Sequence, residues 1–310
     1  MQKRKECVEY IVPISLLVLL FILASCSPQS SNGLGGIGGN GVLIKWVDNL
    51  PPAQIYDDQP FEVALEVENN GASPIGSSTD RIYISGFSRE RISGEYTLGE
   101  QMPDLEGQTQ YNTGGKDLVT FKGTIMKLAT ANQYNIPLTA TACYEYVTEA
   151  GGTLCIDPNP YTTSTRQKSC TSGVVSIGPQ GAPVKVTSIT TEPSPTQTRI
   201  SITIANNGGG DVYKRDKLSF CSPYNTQRLE YGDQNIVEVE DITVGGESIT
   251  ASCTGLGGGS NARLIGGAAQ LRCSYKTTQT TEYTDQITVK LRYGYRLITQ
   301  KSVVILPTSS

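Results

Sequence analysis

Histidine is absent from all 310 residues. Ser-His-Asp and Cys-His catalysis, histidine-ligated zinc and histidine-based pH switching are thereby excluded on chemical grounds. Cys-x-x-Cys is also missing, so the sequence offers no conventional metal-ligand spacing, and neither a metal nor another cofactor is expected. No Asn-x-Ser/Thr acceptor occurs, which removes N-glycosylation. Charge is sparse: charged residues make up 17% of the chain and the net charge is -4. With no Lys/Arg stripe to neutralise phosphates, nucleic acid is not an expected partner. Long hydrophobic runs are absent but for one, at the N-terminus.

That run extends from Ile11 to Leu23 behind the basic cluster Lys3-Arg4-Lys5, the layout of a signal peptide. Its 13 residues would span about 20 Å as a helix, short of the ~30 Å hydrocarbon core. Leu23-Ala24-Ser25-Cys26 follows directly and resembles the lipobox of bacterial-type lipoproteins, which implies lipidation at Cys26. Residues 1–25 are therefore expected to be a signal peptide or membrane anchor helix, and the Ser/Gly/Asn-rich residues 26–41 a flexible linker. Removing residues 1–25 takes away Lys3, Arg4, Lys5, Glu6 and Glu9, and the net charge moves from -4 to -5.

Beyond the linker the sequence alternates apolar and polar residues, the pattern of half-buried strands, and does so twice in the same order. Phe61, Val63, Leu65 and Val67 share one face before Asn69-Asn70-Gly71; Ile200, Ile202 and Ile204 do so before Asn206-Asn207-Gly208. Later, Leu138, Ala140, Ala142, Tyr144 and Tyr146 match Ile287, Val289, Leu291, Tyr293 and Tyr295 in parity. The offset is 137 residues at the asparagines and 149 at the tyrosines, so the second copy carries 12 more residues between its motifs. The expected fold is all-β: two tandem Ig-like antiparallel β-sandwich domains, 42–177 and 184–307, joined by a proline-stiffened linker at 178–183. The tyrosines and Trp46 share parity with apolar residues and are expected in the core, the tyrosine hydroxyls reaching backbone.

The Asn-Asn-Gly strand ends resemble those of the cell-adhesion-related (CARDB) domains of bacteria and archaea, and a hairpin from Cys143-Tyr144-Glu145-Tyr146 to Cys155-Ile156-Asp157-Pro158 resembles segments of archaeal surface proteins. The resemblance implies Ig-like sandwiches, display on the extracellular face of the membrane, and a role in adhesion, as a stalk or in envelope assembly. It implies no catalytic residue, and the chain is expected not to be an enzyme. A carbohydrate-binding surface module is the alternative. A glycan hydrolase using carboxylates alone, drawn from residues such as Asp104, Glu106, Glu238, Glu240 and Asp241, is the remote one.

Six cysteines lie in the exported part, an even number that suggests disulfides. Cys143 and Cys155 flank a candidate turn at residues 149–152 and are expected to pair; so are Cys253 and Cys273, which bracket a Gly-rich loop. Cys170 and Cys221 remain, either bonded across the joint or free. The Gly-rich run at residues 255–260 lacks the strand-then-helix context of a phosphate loop and reads as a hairpin. Asp57-Asp58 and Asp157-Pro158-Asn159 read as turns. The longer loops of the second copy, between Lys214 and Ala268, are the expected seat of binding to a surface protein or glycan partner.

Overall fold

The computed structural model describes residues 39–129, 132–162 and 167–308. The expected anchor helix, Cys26 and most of the 26–41 linker lie outside them. The first repeat supplies β1 (Val42–Trp46), β2 (Gln54–Tyr56), β3 (Pro60–Asn69), β4 (Arg81–Ser85), β5 (Ile92–Ser93), β6 (Glu100–Gln101), β7 (Lys116–Ile125) and β8 (Tyr134–Ile156). The second supplies β9 (Val184–Pro193), β10 (Gln197–Asn206), β11 (Asp211–Tyr213), β12 (Ile236–Val244), β13 (Glu247–Ser248), β14 (Leu256–Gly257), β15 (Asn261–Arg263), β16 (Ala268–Lys276) and β17 (Tyr283–Leu306). Three short 3-10 turns complete the regular structure among the described residues.

The architecture is all-β. One four-stranded sheet has the order β1-β3-β7-β5 and a three-stranded sheet the order β16-β10-β9. The other ten strands form a third sheet to which both repeats contribute. Apart from the parallel pair β2–β17, the ladders are antiparallel. Phe61, Val63, Leu65 and Val67 on β3 and Ile200, Ile202 and Ile204 on β10 are all buried, as their alternation predicts, against the apolar face of the shared sheet.

The centre of that sheet is a ladder of 23 residue pairs between β8 and β17. Tyr144 lies opposite Tyr295, Tyr146 opposite Tyr293, and Glu145 opposite Gly294. Because Tyr144 and Tyr146 match Tyr293 and Tyr295 in the repeat, each strand meets its own duplicate about a local two-fold axis through Glu145 and Gly294. The expected division into separately cored domains is not seen: one cluster of buried side chains runs through both repeats, and the described residues belong to one compact unit.

The four tyrosines stack around this axis with ring centroids 5.7–6.3 Å apart and are almost wholly buried. Burial removes water from each hydroxyl, so each needs a partner. Tyr146 accepts from the Ser73 amide (3.2 Å) and donates to the Gly181 carbonyl (2.7 Å). Tyr295 accepts from the Gly210 amide (2.7 Å) and donates to Asn206 Oδ1 (3.1 Å). Asn69 and Asn206 brace the same turns from Nδ2, at 2.8 Å to Ser73 O and 2.7 Å to Gly210 O. The glycine of each Asn-Asn-Gly turn is required by this packing. A Cβ on Gly71 would fall 1.8 Å from the Tyr146 hydroxyl, and one on Gly208 2.4 Å from that of Tyr295. The Asn-Asn-Gly and Tyr-x-Tyr motifs are thus two halves of one lock, present in both copies.

The expected linker at 178–183 runs through this centre, with Ala182 and Val184 inaccessible to solvent. Gly181 O accepts from the Ala72 amide, Pro183 O from the Asn207 amide, and Gln180 exchanges two hydrogen bonds with the Val186 backbone. Trp46 is partly buried against the core and donates to Thr299 Oγ1 of the other repeat.

Burial pushes the hydroxyls of Tyr144 and Tyr293 well above the ordinary 10.0 and that of Tyr146 up to about 12. The folded state therefore holds protons that the unfolded chain releases near ~10. Stability is expected to be flat to about pH 9 and then to fall, by about 1.4 kcal/mol per pH unit for each tyrosine still protonated. Absorbance of tyrosinate should lag behind the full complement of 16 tyrosines until the protein unfolds. Tyr146→Phe, which orphans the Ser73 amide and leaves the Gly181 carbonyl with the Ala72 amide alone, is expected to cost about 1–3 kcal/mol in denaturant melts.

Candidate functional site

All six cysteines of the described residues form disulfides: Cys143–Cys221, Cys155–Cys170 and Cys253–Cys273. The last is the expected pair. The expected Cys143–Cys155 bond does not exist, and Cys170 and Cys221 bond to these two cysteines rather than to each other. The reason is β8 itself. No turn interrupts it at residues 149–152, so Cys143 and Cys155 sit on one extended strand, about 40 Å apart at ~3.3 Å per residue. Gly152 serves another purpose there. A Cβ on Gly152 would lie 2.7 Å from Val175, whose segment crosses the strand and bridges it at Ile177. Cys155–Cys170 closes the intervening loop.

Cys143–Cys221 braces one repeat against the other. Residues 214–235 are an insertion of the second repeat, with a 3-10 turn at Arg215–Cys221. They fold onto the face of the shared sheet opposite the tyrosines. Leu218 and Cys221 pack there with Tyr83, Cys143 and Tyr213 in a second small core. Tyr224 donates to the Ile84 carbonyl and carries the Arg89 guanidinium over its ring. Part of the loop region expected to bind partners, at Leu218, Cys221 and Tyr224, is therefore taken up by an internal contact. The same face carries an ion pair across the repeat boundary, Lys290 to Glu149 at 3.7 Å, and Lys290 also lies 3.5 Å from Glu240 of its own repeat, which meets Arg292.

The outward faces of the two small sheets differ in charge. On the first, Lys45 pairs with Glu68 (2.9 Å) and Glu66 (3.7 Å), Lys116 with Glu66 (2.8 Å) and Lys122 with Glu62 (3.9 Å), which neutralises the face. On the second, the register sets Glu192, Arg199 and Ser274 in one row and Thr190, Ser201 and Arg272 in the next. Where the first repeat opposes Glu62 to Lys122, the second opposes Arg199 to Ser274. Arg199 and Arg272 are exposed, and among the described residues neither guanidinium has an ion pair or a hydrogen bond. This face is concave, a groove of ≈ 600 Å³. One wall is the chain at Ser252–Thr254, fixed to β16 by the Cys253–Cys273 bond, by Ser252 Oγ to Ser274 O (2.8 Å) and by the Thr254 amide to Arg272 O (2.8 Å). Its Ser252–Thr254 wall lies within the loops expected to bind partners and Cys273 within an expected disulfide, whereas Arg199 and Arg272 are not singled out by the sequence. The loss of repeated Glu/Lys alternation between copies was the available signal.

The Gly-rich run forms the short hairpin β14–β15. A recess of ≈ 300 Å³ beside it includes Arg263, whose guanidinium donates to the carbonyls of Tyr231, Gly232 and Gln234. Asp57 accepts from the Leu128 amide and from the amide and hydroxyl of Thr308, bonds that hold its carboxyl below the usual range, the Thr308 hydroxyl foremost. It thereby ties the end of β17 to the first repeat. Asp157 makes an Asx turn to the Asn159 amide and an ion pair to Lys168. Among the hydrolase candidates, Glu238 pairs with Arg215, Glu240 with Arg292, and Asp241 accepts from Ser248 and Thr250. No family model and no curated protein matches the chain.

A non-reducing digest is expected to yield three linked peptide pairs, 143–221, 155–170 and 253–273, and none joining 143 to 155. The 78-residue separation makes Cys143–Cys221 the most stabilising in the chain-entropy model, at about 4.5 kcal/mol against ~3 for the shorter loops. Cys143→Ala with Cys221→Ala should lower the melting temperature more than removal of either other bond.

Proposed function

We propose that the chain is a non-enzymatic cell-surface protein, tethered to the outer face of the membrane by lipid on Cys26 or by its N-terminal helix, and acting in adhesion, as a stalk or in envelope assembly. The observation that carries this reading is the cross-bracing of the two repeats. A 23-pair strand ladder, a buried joint and the Cys143–Cys221 bond make one stiff body, suited to transmitting load and to an oxidising compartment. The resemblance of its Asn-Asn-Gly strand ends to CARDB domains supports the same role. In this arrangement the Ig-like units are halves of one body that share a sheet.

Expression with the native leader tests the tether. The expected product fractionates with membranes, begins at Cys26 and carries added lipid mass, and Cys26→Ala abolishes that mass. Recovery of an unlipidated chain starting at Met1 that remains membrane-bound selects the helix as anchor. A soluble product cleaved elsewhere overturns the tether.

A further inference from the structure

The groove on the three-stranded sheet has the chemistry of a ligand site and no structural use for it. Arginine is normally held by a carboxylate in a sheet, and the first repeat shows how, with each lysine of its outer face matched to a glutamate. The second repeat keeps the strands and the register but replaces Glu62 by Arg199, Lys122 by Ser274 and Thr120 by Arg272. Against the two guanidinium groups it sets one carboxylate, Glu192, which lies opposite Arg199 without forming an ion pair among the described residues. Arg199 and Arg272 occupy diagonal positions on neighbouring strands, about 7–8 Å apart at the backbone. Guanidinium forks so placed can each take a carboxylate or sulfate bidentately.

The remaining lining decides the kind of anion. Apart from Glu192 and the disulfide-bonded Cys273, it consists of hydroxyl and amide side chains with no aromatic or aliphatic one, so the side chains of a bound peptide would find no apolar pocket. Strand addition is also blocked. The β9 edge is met by the chain at Gly173–Val175, which bonds Ile189 and Thr191, and the β16 edge by Thr254, which exchanges two hydrogen bonds with Arg272. A ligand here meets side chains rather than free backbone. Sugar hydroxyls match Thr190, Ser201 and their neighbours, and acidic substituents match the arginines. The disulfide-fixed wall holds the groove open before any ligand arrives, which lowers the ordering cost of binding.

We infer that this groove binds an anionic polysaccharide, one bearing carboxylate or sulfate groups, as its two arginines and hydroxyl-rich floor require. This deepens the surface-display reading, on which it depends only for the compartment in which such a glycan is met.

The test uses the full chain in detergent and measures affinity for polygalacturonate oligomers and dextran sulfate, with neutral dextran and poly-glutamate as comparators. Binding to at least one anionic glycan is expected, weakening as salt rises. Arg199→Ala with Arg272→Ala should reduce that affinity about tenfold or more, as loss of two charge-assisted contacts implies. Glu192→Gln should raise it, and Lys45→Ala with Lys122→Ala on the other face should leave it unchanged; all variants should keep the parent melting temperature to within a few degrees. Failure to bind either anionic glycan, insensitivity to the arginine substitutions, or binding of poly-glutamate as tight as that of the saccharides would overturn the inference. These outcomes are independent of membrane fractionation, so loss of the tether and loss of the site are read separately.

Discussion

Four buried tyrosines at a local two-fold axis are the constraint on which the remainder of this structure depends. Their rings bring the two copies of the duplicated strand into register, since Tyr144 can lie over Tyr295 and Tyr146 over Tyr293 only when Glu145 faces Gly294. Their hydroxyls then reach outward to the pieces that must be positioned next. Tyr146 holds the Ser73 turn and the joint at Gly181, Tyr293 holds the start of β9 at Val184, and Tyr295 holds the turn at Gly210. Thr148 closes the set, bonding both Tyr293 and the Val184 carbonyl. A one-residue slip of β8 against β17 would turn Tyr144 and Tyr146 to the face opposite Tyr293 and Tyr295 and take the Tyr146 hydroxyl away from the Ser73 amide, so the register is strongly specified.

Duplication explains the frame, and departures from symmetry explain what each half does. The insertion at residues 214–235 has no counterpart in the first repeat. It covers the back of the shared sheet and is bonded to Cys143 of the other copy, which converts two similar halves into one body. The small sheets diverge in the other direction. Their buried faces keep the same alternation of apolar residues, because both must fill a core, while their outward faces are free to change. One has settled into a self-neutralising Lys/Glu ladder, and the other has lost its counterions and gained a wall.

The two expectations about the central strands failed for a common reason. Gly151-Gly152 reads as a turn when the neighbours are unknown, because glycine is the residue that turns favour. In the fold Gly152 admits the segment at Val175, and β8 passes straight through. Once the turn is gone, Cys143 and Cys155 are carried apart along one strand and each must find a partner from elsewhere in the chain. The buried joint misled similarly: Gly178-Pro179-Gln180-Gly181 has the composition of a linker, yet Gln180 and Gly181 make hydrogen bonds that only a fixed segment can make.

Local pattern alone determined the strands, the face each one buries, the existence of two copies and the inward placing of the tyrosines, because alternation with period two is a property of neighbouring residues. The same holds for Cys253 and Cys273, which lie close in sequence on either side of one connection. The pairing of β8 with β17, the merging of two expected domains into a shared sheet, the partners of Cys143 and Cys155, and the unneutralised groove around Arg199 and Arg272 were decided only by tertiary structure. Each depends on contacts between segments distant in the chain, up to the 171 residues separating Tyr134 from Ile305 in the β8–β17 ladder, where no local preference carries information about which surface will arrive.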